Sequence, residues 1–176
     1  MEVEVEVEVG AINRQTLPAF SAILGEAAQW LDEMGHGLWL LEEVSPERLM
    51  DEYALTECFI GHVNGIPAAT MVLLESDARF WPNVNPGESL FLHKLSIRRQ
   101  FAKQGVARQM VMWAENEAGA RNKRYLRLDC AADRPKLVLW YENLGFRRIR
   151  EQMMFEKFPT VFFEKDVGMS LDQIEA

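Results

Sequence analysis

The chain is poor in the residues that build metal centres and covalent cross-links, with two cysteines and three histidines in 176 residues. Cys58 and Cys130 stand far apart and outside any Cys-x-x-Cys spacing, which argues against a disulfide scaffold and a thiolate zinc site. His36, His62 and His93 have no spacing suited to shared ligation, so no metal site is expected. The N-terminus lacks the basic and apolar regions of a signal peptide. Long apolar runs are missing too. The longest uncharged stretch, Cys58 to Leu74, contains His62, Asn64, Gly65 and Pro67 and is too short and too polar to span a bilayer. The expectation is a soluble, cytoplasmic protein without membrane contact.

What is present suits a globular fold. Hydrophobic residues make up 48% and charged residues 26%, enough to bury a full core. The length fits one domain, taken as residues 1–176, by the prior of ~100–200 residues per domain. The net charge of −8 is unevenly spread. Residues 1–88 hold 16 acidic and three basic side chains, whereas residues 89–176 hold 11 and 16. Lys94 to Arg150 alone carries 14 basic residues against five acidic ones. An acidic half repels polyanions and attracts cations, and the basic stretch suits a smaller anionic ligand. The glutamates at 2, 4, 6 and 8 are read first as a solvated face.

Glu2 to Val9 alternates with period two, valines on one face and glutamates on the other, which predicts a half-buried strand near a sheet edge. A partly ordered repetitive tail is the other reading. Thr16 is placed to cap a helix with Pro18 in its first turn. Leu17, Phe20, Ile23, Leu24, Ala27 and Leu31 then recur at helical spacing. Ser45-Pro46 opens a shorter helix to about Leu55. A strand from Cys58, the Asn64-Gly65 turn and a strand to about Leu74 make a hairpin. A loop over 75–88 leads to a strand over Ser89–Ile97. A helix over Gln104–Ala120, a strand over Arg124–Cys130 and a helix from Pro135 to Gly145 follow, Gly145 suiting the left-handed position past a helix end. Strands over Phe146–Phe155 and Thr160–Lys165 close a mixed α/β domain around a central sheet.

The chemistry concentrates in Leu92-His93-Lys94-Leu95-Ser96-Ile97-Arg98-Arg99-Gln100-Phe101-Ala102-Lys103-Gln104-Gly105-Val106-Ala107-Arg108. An apolar strand ends in a basic turn that runs straight into an amphipathic helix. Gly105 and Ala107 leave backbone N–H groups uncovered at the helix start, where the helix dipole adds positive potential, an arrangement that holds phosphate. No Gly-Lys-Ser/Thr follows, so it is not a P-loop, and one glycine stands where the dinucleotide fingerprint needs three. An ordinary strand-to-helix connection is the other reading of the glycine. Later in the chain, Tyr141-Glu142-Asn143-Leu144-Gly145-Phe146 ends a helix.

These two elements, in this order, resemble the GNAT family of acyl-CoA-dependent N-acyltransferases. Its pattern is a strand, then Gln/Arg-x-x-Gly-x-Gly/Ala at a helix N-terminus, and later a helix ending Tyr-Glu-x-x-Gly-Phe. The match covers about residues 55–150. The resemblance implies an α/β (α+β) fold, a single domain whose central mixed, mostly antiparallel sheet has splayed middle strands and about four flanking helices. It implies transfer of acetyl from acetyl-CoA to a primary amine of a small molecule, peptide or protein, by direct attack in a ternary complex. The backbone of Leu95, Ser96 and Ile97 matches the segment that pairs with pantetheine. Lys103, Gln104, Gly105, Val106, Ala107 and Arg108 match the pyrophosphate turn. Tyr141 matches the acid that protonates the departing thiolate, and it shares a helical face with Leu137 and Leu144; a core tyrosine with a hydrogen-bonded hydroxyl is the other reading.

Two departures weaken contacts. Ala102 stands where the family has Gln or Arg, and Arg134 stands where an Asn often meets the pantetheine arm. Glu75, Glu88 and His93 are candidates for the base, which sequence does not choose among. The alternative function is a degenerate domain of the same family that binds CoA or a protein partner without turnover. Nucleic-acid binding is disfavoured, because the basic stretch lacks interleaved stacking aromatics. The resemblance allows a homodimer, which no residue pattern requires.

Overall fold

Asn64 and Gly65 both take left-handed backbone angles, φ 50° and 75°, the two-residue turn whose twist matches that of the strands it joins. It links β2 (Cys58–Val63) to β3 (Ile66–Leu74), as the Asn-Gly pair predicts. In this computed structural model, which describes residues 4–168, the elements before the hairpin are β1 (Glu8–Ala11), α1 (Leu17–Glu33) and α2 (Pro46–Glu52). After it come β4 (Ser89–Ile97), α3 (Val106–Ala120), β5 (Tyr125–Ala131), α4 (Pro135–Asn143), β6 (Arg147–Met154) and β7 (Phe158–Asp166). The strands hydrogen-bond in the order β1-β2-β3-β4-β5-β7-β6. The β4–β5 pair is parallel, while β1–β2, β2–β3, β5–β7 and β6–β7 are antiparallel. The result is the mixed, mostly antiparallel sheet with four flanking α-helices that the sequence implies.

The described residues fall into two compact units, 4–73 with 94–113 and 74–93 with 114–168. In the first, α1 buries Phe20, Ile23, Leu24, Ala28 and Leu31, so the apolar stripe includes Ala28 where periodicity suggested Ala27. Leu49 of α2 and Met110 of α3 are fully buried as well. A Cβ at Gly61 would lie 2.7 Å from Met110 Sδ, so β2 and α3 approach as closely as they do because position 61 has no side chain.

The second unit buries Trp81, Phe91, Met154 and Phe162 as one hydrophobic cluster. It also buries a charge pair. Arg127 of β5 is 6% exposed and Glu164 of β7 is 8% exposed, with Nη2 and Oε2 3.2 Å apart. Arg127 also donates to Ser89 and lies 3.4 Å from Glu88, so every polar group there has a partner, as buried ions require.

Three expectations change at the N-terminal end. The strand begins at Glu8 rather than Glu2, residues Glu4 to Val7 are not in a strand, and Met1 to Val3 lie outside the described residues. β2 offers partners only from Phe59 to His62, and the preceding backbone goes elsewhere: Gln109 accepts from Val7 N–H and donates to Val5 C=O. Thr16 occupies the N-cap of α1, but its hydroxyl accepts from Asn13 N–H, while Asn13 Oδ1 accepts from the N–H groups of Gln15 and Thr16. Asn13 thereby supplies the turn that Thr16 was expected to provide. Ser45 does cap α2, accepting from Arg48 N–H, and that helix stops at Glu52, with a 3-10 turn over Leu55–Glu57. Elsewhere the strand over Ser89–Ile97 matches residue for residue.

Candidate functional site

β4 pairs in parallel with β5 from Ser89↔Tyr125 to Leu92↔Leu128. Just past the last paired residue, Lys94 has φ +50°, a left-handed kink that non-glycine residues seldom adopt. Its carbonyl accepts from the Thr70 hydroxyl at 2.9 Å. Its ammonium stands over the Trp39 ring at 4.8 Å and the Tyr53 ring at 5.8 Å, and burial lowers its pKa against the pull of Glu52 and Glu43. Beyond the kink, Ser96 is buried and Leu95 and Ile97 are half-buried.

The connection after β4 is a 3-10 turn over Arg99–Phe101 and then two left-handed residues, Lys103 (φ 61°) and Gly105 (φ 78°). α3 starts at Val106, two residues later than its periodicity suggested, because Gly105 is left-handed. Gln109 N–H donates to Gly105 C=O. Among the described residues the N–H groups of Lys103 to Arg108 have no acceptor, as the start of a helix leaves them. Lys103 and Arg108 are exposed, Gln104, Gly105 and Ala107 are half-buried, and Val106 turns into the core, leaving only its backbone for a ligand. Ala102 adds no polar atom to the turn. One acidic group lies against it: Glu4 Oε1 is 3.4 Å from Arg108 Nη1.

Tyr141 of α4 is 7% exposed and packs against Trp140, Phe146 and Phe163, with ring centroids 5.0, 5.8 and 5.7 Å away. Its hydroxyl makes no hydrogen bond among the described residues, unlike that of an ordinary core tyrosine. Burial raises its pKa above the usual phenol value, and Cys130 and Asp129 add to the rise while Arg134 opposes it. The group therefore stays protonated at neutral pH. Gly145, at φ 92°, ends the helix as the sequence indicates, and Lys165 Nζ caps the last turn by donating to Leu144 C=O at 2.7 Å.

The three candidate bases differ in surroundings. Glu75 pairs with Arg121 and Lys123 at 3.7 and 3.5 Å, and Glu88 pairs with Arg127. His93 instead faces carboxylates: its Nε2 lies 3.0 Å from Asp77 Oδ2, and Asp129 is close by. Burial lifts the Asp129 carboxyl to about 6, partly offset by His93 and Arg150. Sequence reading singled out His93 but missed Asp77 and Asp129, which come from a loop and from β5 and share no local pattern with it. Cys58 and Cys130 are free thiols, each pushed up to about 12 by burial. No helix among the described residues is long and apolar enough to cross a membrane.

Residues 21–146 match the family model described as acetyltransferase (GNAT) family. The uncharacterized N-acetyltransferase YesJ of Bacillus subtilis is 29% identical over 155 residues, which cover 85% of this chain and 84% of that protein. Among solved structures, a GNAT-family acetyltransferase from Listeria monocytogenes superposes with a TM-score of 0.76 at 18% identity, over 92% of this chain and 95% of that one. The PaiA N-acetyltransferase from Thermoplasma acidophilum, solved in complex with coenzyme A, superposes with a TM-score of 0.72 at 13% identity, over 92% and 99%. At such identities the two superpositions establish a shared fold.

Proposed function

Because the chain belongs to the acetyltransferase (GNAT) family, we propose that it moves an acetyl group from acetyl-CoA to a primary amine of a small molecule, peptide or protein, by direct attack in a ternary complex. The reading treats residues 1–176 as one transferase domain. The observation that carries it is the turn before α3: left-handed Lys103 and Gly105 leave a run of free amide N–H groups at a helix N-terminus, beside two exposed cations. That donor set fits a pyrophosphate.

Bound acetyl-CoA supplies an activated acyl carbonyl, and the chain's residues hold it and move protons. The amides of Lys103 to Arg108 receive the pyrophosphate, with the charges of Lys103 and Arg108 in support. Main-chain groups of Leu95, Ser96 and Ile97 pair with the amides of the pantetheine arm. His93 takes the amine proton. Asp77 Oδ2, 3.0 Å from Nε2, offers a carboxylate against the positive charge that the ring takes on with that proton. Tyr141 donates its hydroxyl proton to the departing thiolate, and the proton gained by His93 balances the one Tyr141 gives up.

Two measurements test the reading. Thermal shifts with acetyl-CoA, CoA, ATP and NAD should show stabilisation by the two CoA species; stabilisation by ATP or NAD alone overturns it. Free thiol released from acetyl-CoA across a panel of amines should rise with at least one amine. Binding without turnover on any amine points to the degenerate domain instead.

A further inference from the structure

The cluster around His93 has a property that acid–base chemistry leaves unused. One donor atom each from Asp77, His93 and Asp129 lies within 4.8 Å of the other two. His93 Nε2 and Asp77 Oδ2 are both buried, and among the described residues neither makes a hydrogen bond even though they are 3.0 Å apart. The Asp77 side chain is only 8% exposed. Zinc–ligand bonds of about 2.1 Å meeting at the tetrahedral angle put ligand atoms about 3.4 Å apart, so two unsatisfied atoms 3.0 Å apart need to open only slightly to take a metal between them.

The charges facing the cluster favour a cation. Asp77 and Asp129 are anionic when ionised, and Arg150 is the opposing cation. Arg150 is engaged elsewhere: its guanidinium lies 3.9 Å from the centre of the Phe162 ring and donates to Phe80 C=O. Phe80 also packs near the imidazole, with ring centroids 6.5 Å apart, so the surroundings are apolar and any unneutralised carboxylate is costly. One imidazole nitrogen with two carboxylates suits zinc and similar transition metals better than magnesium or calcium, which take oxygen ligands throughout.

We propose that Asp77, His93 and Asp129 form a binding site for a divalent transition-metal cation of the zinc class, and that its occupancy takes His93 out of acetyl transfer. The first half revises the expectation of no metal site and is independent of the enzymatic reading; the second half rests on that reading. A neutral imidazole has a lone pair on one nitrogen only. Once Nε2 gives its pair to the metal, the ring proton sits on Nδ1, and no pair remains to accept a proton from an amine.

The test starts with full-length protein stripped with EDTA and exchanged into chelator-free buffer. Calorimetric titration with Zn2+ should show one equivalent bound, with affinity reduced at least tenfold in His93→Gln and Asp77→Asn. Long-range proton–nitrogen spectra of the unmodified protein need no folded variant: zinc should move the Nε2 resonance of His93 and spare those of His36 and His62. Absence of saturable binding overturns the site, as does binding that moves His36 or His62 and leaves His93 unchanged. Acetylated product followed by mass should fall with the same zinc midpoint as the titration. Full turnover with His93 metal-bound overturns the second half while leaving the site. Zinc binding at His93 in a protein that acetylates nothing when metal-free removes the enzymatic reading and not the site.

Discussion

Glu4 Oε1 lies 3.4 Å from Arg108 Nη1 and 3.2 Å from where a Cβ on Gly105 would stand, so an acidic side chain covers the start of α3. Gln109 holds the same segment through Val5 C=O and Val7 N–H. A phosphate arriving at these amides meets a carboxylate already there. Glu4→Gln keeps the shape and removes the charge, and CoA affinity should tighten by about two- to fivefold, the range expected for a single charge at a helix end. Calorimetry with CoA measures it; unchanged or weaker binding means that Glu4 does not compete with the phosphates.

Tyr141→Phe keeps the ring among Trp140, Phe146 and Phe163 and removes a hydroxyl that has no partner among the described residues. Folding should be almost unaffected. Turnover should fall by about a hundredfold, at the lower end of what general acid–base groups contribute, with CoA affinity retained. Steady-state kinetics beside a CoA titration separates the two; equal turnover removes Tyr141 from the acid role.

Asp129 is more easily protonated in the folded chain, its carboxyl being raised to about 6 first by burial. Its contribution to stability is therefore complete below the ordinary carboxylate range and is lost as pH rises through about 6. Asp129→Asn avoids that loss. Metal-free, the variant should melt a few degrees above the unmodified protein at about pH 8 and no higher at about pH 4. Scanning calorimetry at both values decides, and an equal rise at both contradicts burial of the charge as the cause.

Arg127→Met leaves Glu164 buried, with Arg147 at 3.5 Å as its remaining cation, and the Arg147 side chain is 75% exposed. The loss should be about 3 kcal/mol, the usual cost of stranding one partner of a buried pair. Replacing Glu164 with Gln as well should restore part of it. Urea unfolding of the single and double variants gives the comparison.

The parts legible in the sequence are those fixed by local chemistry. Asn64-Gly65 demands a left-handed turn, Gly145 a left-handed helix end, and the alternation of β5 a strand between two faces; each appears where the residues place it. Tyr141 is legible through the resemblance to Tyr-Glu-x-x-Gly-Phe, and the helical face it shares with Leu137 and Leu144 agrees with its burial on α4. The N-terminal strand failed because alternation says which face is apolar and nothing about where a partner strand runs out. Thr16 failed because Asn13, three residues earlier, makes the same kind of turn more strongly. The neighbours of His93 were illegible for a different reason: Asp77 and Asp129 reach it only through chain segments far apart in sequence.

The outer strands of the sheet carry one more consequence. β1 has only four residues, but β6 has eight, and an uncovered strand of that length is a template on which another chain can grow. Along β6 stand the exposed Arg147 and Arg148, and a second copy laid edge to edge would bring these cations together. The basic half of the chain thus also guards against aggregation, and neutralising those arginines would cost solubility before it cost the fold.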